Sequence, residues 1–293
     1  MTGDFPFRLR ICEDVFRWIK MNKKDIPQIE NILRERENDC VSACGRFIEK
    51  HPSSERIWCL KKGNGGVKAF LISSRSTLIP VLCGFKEIPS PDFLNVFFKI
   101  KKIHSIQGLT DEVIIFEKAF EKTGRNIADI FDYDLMSLDS FPEGKKNFIK
   151  NKNLKLRVPQ MNDLDEIAPL QEAYEKEEVI PKGSVFNPDA SRINIANIIN
   201  KGQILAAELD GTLVGKINVS AVSYTRYLVG GVFVHPDFRG AGIGRIMTAE
   251  FIKNLISFGK GVTLFVKKNN LAARRLYLGL GFSARGDYRI TYY

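Results

Sequence analysis

Apolar and polar positions follow two rhythms along the chain, a strand period of two and a helix period near 3.6, and together they divide it into two similar halves. An apolar run at 15–19 predicts a first strand. Asp25 as N-cap, Pro27 in the first turn, and Ile29, Ile32 and Leu33 at helical spacing predict a helix. Val41, Cys44, Phe47 and Ile48 predict a second. Strand-like runs follow at 56–60, 67–73 and 77–84, then a helix over 91–100 and a strand over 102–106. A helix after Gly108, capped by Thr110 or Asp111, and a strand over 130–138 end the first half.

The second half repeats this order. It predicts a strand at 154–158, helices at 163–174 and 189–200, and a hairpin of 203–209 and 212–222 about Asp210-Gly211. A strand at 227–234 follows, with a bulge or splayed backbone at Gly230-Gly231. Strand 262–266, helix 271–279 and closing strands over 282–292 complete it. Setting Asp25 against Asp163 places Ile26, Ile29 and Ile32 over Leu164, Ile167 and Leu170, a faint internal repeat.

The stretch that carries chemistry is Val232-Phe233-Val234-His235-Pro236-Asp237-Phe238-Arg239-Gly240-Ala241-Gly242-Ile243-Gly244. A buried strand ends at His235-Pro236-Asp237, and alternate glycines lead straight into a helix. Glycines allow backbone dihedrals that a Cβ forbids and let the chain approach a ligand closely. The free N–H groups and positive dipole end of the helix favour a phosphate or pyrophosphate. A dinucleotide fold would carry G-x-G-x-x-G near the start of a βαβ unit, and a Walker loop would end in Gly-Lys-Ser/Thr. Here the order is R-G-A-G-I-G, late in the chain and followed by Arg245-Ile246.

This stretch resembles motif A of the GNAT superfamily of acyl-CoA-dependent N-acyltransferases, (Q/R)-x-x-G-x-(G/A), with Arg239, Gly242 and Gly244 in the defining positions. A second segment is similar to the family's N-x-x-A-x-x-L-Y-x-x-x-G-F pattern through Asn270, Ala273, Leu276, Tyr277, Gly281 and Phe282. The resemblance covers residues 154–293. It implies an α/β (α+β) fold of tandem GNAT-like domains, each a mixed, mostly antiparallel sheet flanked by helices. The expected boundaries are 1–148 for a degenerate first domain, which has only Gln107-Gly108-Leu109 in place of a glycine loop, and 153–293 for an N-acetyltransferase domain.

The implied reaction is attack of a primary amine on the acetyl-CoA thioester. Val232, Phe233 and Val234 would hold the pantetheine arm, with the backbone N–H groups of Phe233 and Val234 polarising the thioester. Arg239, Gly240, Ala241, Gly242, Ile243 and Gly244 would bind the pyrophosphate. Asn270 and Ala273 complete the cofactor-binding set, and Tyr277 would protonate the CoA sulfur. No carboxylate lies on 227–233, where many members place the base, so Glu177 and Glu178 are the candidates. Tyr224 and Tyr227 are further ones, while local structure accounts for His235. Two other readings stay open: a non-catalytic acyl-CoA sensor and a tandem-GNAT aminoacyl-type transferase.

The net charge of +10 changes the picture little, because a basic surface suits a cofactor rich in phosphate as well as nucleic acid. No nucleic-acid-binding signature accompanies the lysine-rich run at 145–155, which reads as a solvated linker. The expected partner is a small-molecule or peptide amine, with pairing of edge strands in a homodimer left open. Five cysteines in the first third show no zinc spacing, so no metal is expected and the thiols read as reduced. No apolar run reaches membrane length and no leader is evident, so a cytoplasmic location is expected.

Overall fold

The computed structural model describes residues 16–49, 57–63, 65–74, 76–88, 103–142 and 153–293. The helix expected over 91–100 and most of the lysine-rich run lie outside them. The first half contains β1 (Phe16–Lys20), α1 (Ile26–Glu35), α2 (Val41–Glu49), β2 (Ile57–Lys62), β3 (Val67–Ser74), β4 (Thr77–Val81), β5 (Ser105–Leu109), α3 (Thr110–Glu121) and β6 (Asp129–Leu138). The second contains β7 (Leu154–Arg157), α4 (Leu164–Tyr174), α5 (Pro188–Asn200), β8 (Ile204–Leu209), β9 (Thr212–Val222), β10 (Arg226–Val234), α6 (Ile243–Ser257), β11 (Gly261–Lys267), α7 (Leu271–Leu280) and β12 (Ser283–Tyr292).

Local chemistry sets most of these boundaries, with three departures from expectation. Asp25 is not the side-chain cap of α1. It closes a capping box with Asn22, whose side chain accepts from the Lys24 N–H, around a short 3-10 turn that precedes Pro27. Neither Thr110 nor Asp111 caps α3, which starts at Thr110 directly from strand β5. Gln107-Gly108-Leu109 is therefore strand, not a shortened glycine loop. The Asp210-Gly211 hairpin holds, with φ of 49° and 83° as its two-residue turn requires.

The twelve strands among the described residues join one sheet, in the order β1-β2-β3-β4-β5-β12-β6-β11-β10-β9-β8-β7. Each half runs through its first five strands in sequence. The centre is an exchange: β12 of the second half lies between β5 and β6, and β6 of the first half lies between β12 and β11. Met136 and Leu138 of β6 accordingly belong to the core that α6 builds with Val262, Leu264 and Val266 of β11. Neither half completes its sheet without a strand from the other.

Further contacts weld the halves. Gly45 of α2 lies so close to β9 that a Cβ there would sit 2.7 Å from the Ala221 Cβ. Gly281, with φ of 104°, ends α7 where a Cβ would sit 2.7 Å from Pro142. Glu37, in the α1–α2 connection, reaches the β9–β10 turn. Its carboxylate accepts from the Ser223 hydroxyl, the Thr225 N–H at 2.7 Å and the Thr225 hydroxyl at 2.7 Å. Burial alone would raise its pKa, but these bonds and the nearby Arg226 charge outweigh burial and lower it.

A carboxyl with a depressed folded pKa adds stability that is present above its unfolded value and lost as pH falls through the folded one. Glu37→Ala is expected to destabilise the protein by about 2–4 kcal/mol at pH 7, because three donors lose a buried charged acceptor. The difference from wild type should shrink as pH falls below about 4.5, the ordinary glutamate value. Denaturant melts at pH 7 and pH 3 check this, and a constant difference would contradict it.

Candidate functional site

β10 and β11 run parallel and pair only over 226–229 and 261–264. Beyond Val229 they diverge, leaving one edge of Gly230–Val234 without a strand partner among the described residues while the other edge rejoins β9 at Phe233 and Val234. The fork opens at the Gly230-Gly231 bulge, where the register with β9 shifts. His235 accepts weakly from the Asp237 N–H at 3.4 Å in the turn that ends β10, a local role.

The glycine loop follows. Gly240 and Gly242 have φ of 83° and 77°, and a Cβ on either would meet nothing within 4 Å. These glycines serve the backbone turn rather than tight packing, and the space above the loop is open. α6 starts at Ile243 with no side chain capping it, so its first-turn N–H groups remain available to an anion. Arg239 does not reach freely over the loop: it donates to the Val234 carbonyl at 3.0 Å and to Glu177 at 2.8 Å.

α7 forms the other arm of the fork. Asn270 is its N-cap, accepting from the Ala273 N–H at 3.1 Å and donating to Glu178 at 3.3 Å. Both polar atoms of Asn270, and the Ala273 N–H, are thus used within the protein. Tyr277 is buried, and burial, with Tyr174 and Glu178 nearby, pushes its phenol well above the usual range. A phenol so shifted favours its protonated form, which can give a proton to a departing group.

A strap crosses the fork. α4 ends in a π-turn, Glu175–Val179, closed by the Ile180 N–H on the Glu175 carbonyl at 2.9 Å. Pro181 then forces Ile180 into extended backbone and stops the helix. On this turn Glu177 pairs with Arg239 on the loop side, and Glu178 pairs with Lys267 of β11 at 3.3 Å. The two glutamates expected as bases therefore hold the strap to the fork's arms. Glu175, at the start of the turn, lines the cavity beside the fork and accepts from Gln171 at 2.6 Å.

That cavity, about 730 Å³, runs from the bulge at Gly231 to α2 of the first half. Its walls come from α2, α4, α5, β9 and β10, so the first half closes one side of it. Beneath the bulge lies Lys216, fully buried on β9. Its ammonium donates to the Gly231 carbonyl at 3.0 Å and to Asn218 at 3.3 Å, and sits 4.6 Å above the Tyr174 ring. Burial lowers its pKa to about 7, with Glu175 opposing. A Cβ on Gly231 would fall 1.9 Å from Asn218 Oδ1 and 2.8 Å from Lys216 Nζ, so these side chains occupy the room of the absent one. Burial raises the Tyr174 phenol to about 12, while the Gly231 N–H pulls it back.

Tyr224 and Tyr227 take structural places, under Arg34 at 3.9 Å and near Lys260 at 5.6 Å. Lys216, Asn218, Tyr174 and Glu175 were missed from sequence. The visible sign was Lys216 and Asn218 inside the mostly apolar run of β9, whose residues 213–219 are buried on both faces.

The first half has a fork as well, since β4 and β5 pair only at Thr77–Ser105 and Leu78–Ile106. There the Pro80 ring would lie 3.6 Å from a Cβ on Gly108 and fills the opening. Proline also removes an N–H from that edge.

A strand fork, a glycine turn and a free helix end stand in this order in a tandem α/β fold. Residues 167–282 match the model of the Acetyltransferase (GNAT) family, and the first half repeats the element plan of the second. A GCN5-related N-acetyltransferase from Sphaerobacter thermophilus superposes with a TM-score of 0.63 at 17% identity, over 94% of each chain. A tandem GNAT protein from the clavulanic acid biosynthesis pathway gives 0.59 at 12% identity, covering 94% of this chain and 97% of that one. A GNAT-family acetyltransferase from Colwellia psychrerythraea gives 0.58 at 12%, covering 94% and 98%. At these identities the likeness is one of fold. No curated protein matches the chain in sequence. No helix among the described residues is long and apolar enough to cross a membrane.

Proposed function

We propose that the second half is an acyl-CoA-dependent N-acyltransferase, with acetyl-CoA as donor, and that the cavity between the halves receives the amine. The observation that carries this reading is the open fork: an unpaired strand edge leads from the cavity to an uncapped helix end with free space above it. These features fit an acyl-CoA. The N–H groups of Gly240 to Gly244 would hold the pyrophosphate, and the free edge of Val232, Phe233 and Val234 the pantetheine arm. Acetyl-CoA supplies the thioester carbonyl that the amine attacks.

The chain's own groups complete the proton balance. Glu175, the cavity's carboxylate next to the fork, takes the proton of the incoming ammonium, directly or through a water. As the N–C bond forms and the C–S bond breaks, the Tyr277 hydroxyl donates to the departing sulfur, the nitrogen's second proton returns through water to the Tyr277 oxygen, and Glu175 releases its proton to solvent. Lys216 acts as a positioning residue: it fixes the Gly231 carbonyl and so the bulge at the mouth of the fork. Arg239–Glu177 and Lys267–Glu178 pin the strap that carries Glu175. The first half, its own fork filled by Pro80, walls the acceptor site and needs no cofactor.

Glu175→Gln is expected to lower kcat by at least about a hundredfold with acetyl-CoA affinity retained, and Tyr277→Phe to lower it by about tenfold. Steady-state rates over a panel of primary amines, with thermal shifts for acetyl-CoA, check both. Wild-type turnover in Glu175→Gln would remove Glu175 from the mechanism.

A further inference from the structure

The charges around the cavity do not balance, and the imbalance points to its ligand. Glu49 of α2 and Lys201 beside α5 neutralise each other across the cavity at 3.1 Å. Lys260 is held by the Ser223 carbonyl at 2.7 Å. Arg46, one turn before Glu49 on α2, lines the cavity and has no carboxylate within ion-pair distance among the described residues. At the other end stands Glu175. A guanidinium presents a planar fork that matches a carboxylate with two parallel hydrogen bonds. Amide and hydroxyl groups elsewhere in the lining, among them Gln107, Asn194, Asn197 and Ser220, suit a short polar chain. The volume is that of a small-molecule site.

Building on the acyltransferase reading, we propose that the acceptor is a small aminocarboxylate, its amine at Glu175 and its carboxylate on Arg46. The products are then an N-acyl aminocarboxylate and free CoA. The first half supplies the group that selects the substrate, which gives a domain with a filled fork a direct part in the reaction.

The test compares matched amines, glycine, β-alanine and 4-aminobutanoate against their methyl esters, in wild type, Arg46→Gln and Arg46→Lys. Wild type should favour the acid of at least one pair by about tenfold or more in kcat/KM. The acid-to-ester ratio should fall to near one in Arg46→Gln and recover partly in Arg46→Lys, which keeps the charge but not the planar fork. A parallel binding arm melts each protein with the N-acetylated acids, which should stabilise wild type and not Arg46→Gln. The unliganded melts verify that the variants fold. A wild-type preference for esters, or an unchanged ratio and unchanged product binding in Arg46→Gln, overturns the proposal. Failure to acylate any amine would instead count against the acyltransferase reading, and the binding arm would still decide Arg46.

Discussion

Lys216→Met is expected to make the protein more stable near neutral pH and a poorer catalyst at once. The lysine is fully buried without an ion pair among the described residues, and burial lowers its pKa from 10.5 to about 7. For a base with a depressed folded pKa, the unfolded chain binds the proton more tightly. The penalty is absent above about pH 10.5, grows as pH falls, and is complete below about pH 7. It amounts to at most roughly 5 kcal/mol. Against it stand the hydrogen bonds to Asn218 and the Gly231 carbonyl, whose loss would cost about 1–3 kcal/mol in total. The variant should therefore gain about 1–3 kcal/mol at pH 6 and lose that advantage by pH 10.5. Acyl transfer should fall by about tenfold or more, because the bulge loses its fixed carbonyl. Denaturant melts across this pH range, with kcat/KM measured alongside, test it. A lysine of purely structural value would give lower stability at every pH.

Gly231→Ala should have the largest effect of any single methyl group. The residue has φ of 59°, which a side chain adopts at a cost of about 1–2 kcal/mol. The new Cβ would also lie 1.9 Å from Asn218 Oδ1 and 2.8 Å from Lys216 Nζ, so both polar side chains would have to move. Either the polar cluster moves or the bulge flattens. We expect a loss of about 3–5 kcal/mol and acyl transfer below a hundredth of wild type. By contrast, Gly230 faces one neighbour, the Ser220 hydroxyl, which can rotate away, so Gly230→Ala should be milder. Paired melts and rates check the ranking; equal effects would mean that the bulge is held by something other than Lys216 and Asn218.

What could be read from sequence was whatever is local. The glycine loop, the Asp210-Gly211 turn and the Gly230-Gly231 bulge are each set by a few neighbouring residues, and each stands in the structure. The repeat of Asp25 and Asp163 reflects a real duplication of plan, although both close capping boxes rather than capping helices themselves. The exchange of β6 and β12 was not legible, since strand order depends on pairings more than a hundred residues apart. For the same reason Arg46 could not be tied to the site: its place in the wall follows from the contact of Gly45 with Ala221 across the halves. Glu177 and Glu178 were singled out because strand 227–233 carries no carboxylate. A π-turn, rather than a regular helix, sends them to Arg239 and Lys267 and leaves Glu175 at the cavity.

The central claim, that the fork and glycine loop bind an acyl-CoA, is tested most directly by thermal unfolding with and without acetyl-CoA in three proteins. At a concentration about a hundredfold above its dissociation constant, the ligand should add about 2.7 kcal/mol to the wild-type native state. Gly242→Glu and Ala241→Glu place a carboxylate where the pyrophosphate would lie. The second does so at an exposed position where no glycine conformation is required, separating charge from backbone strain. The account predicts a clear rise in Tm for wild type and none for either variant. No rise in wild type, or an equal rise in all three, would contradict it.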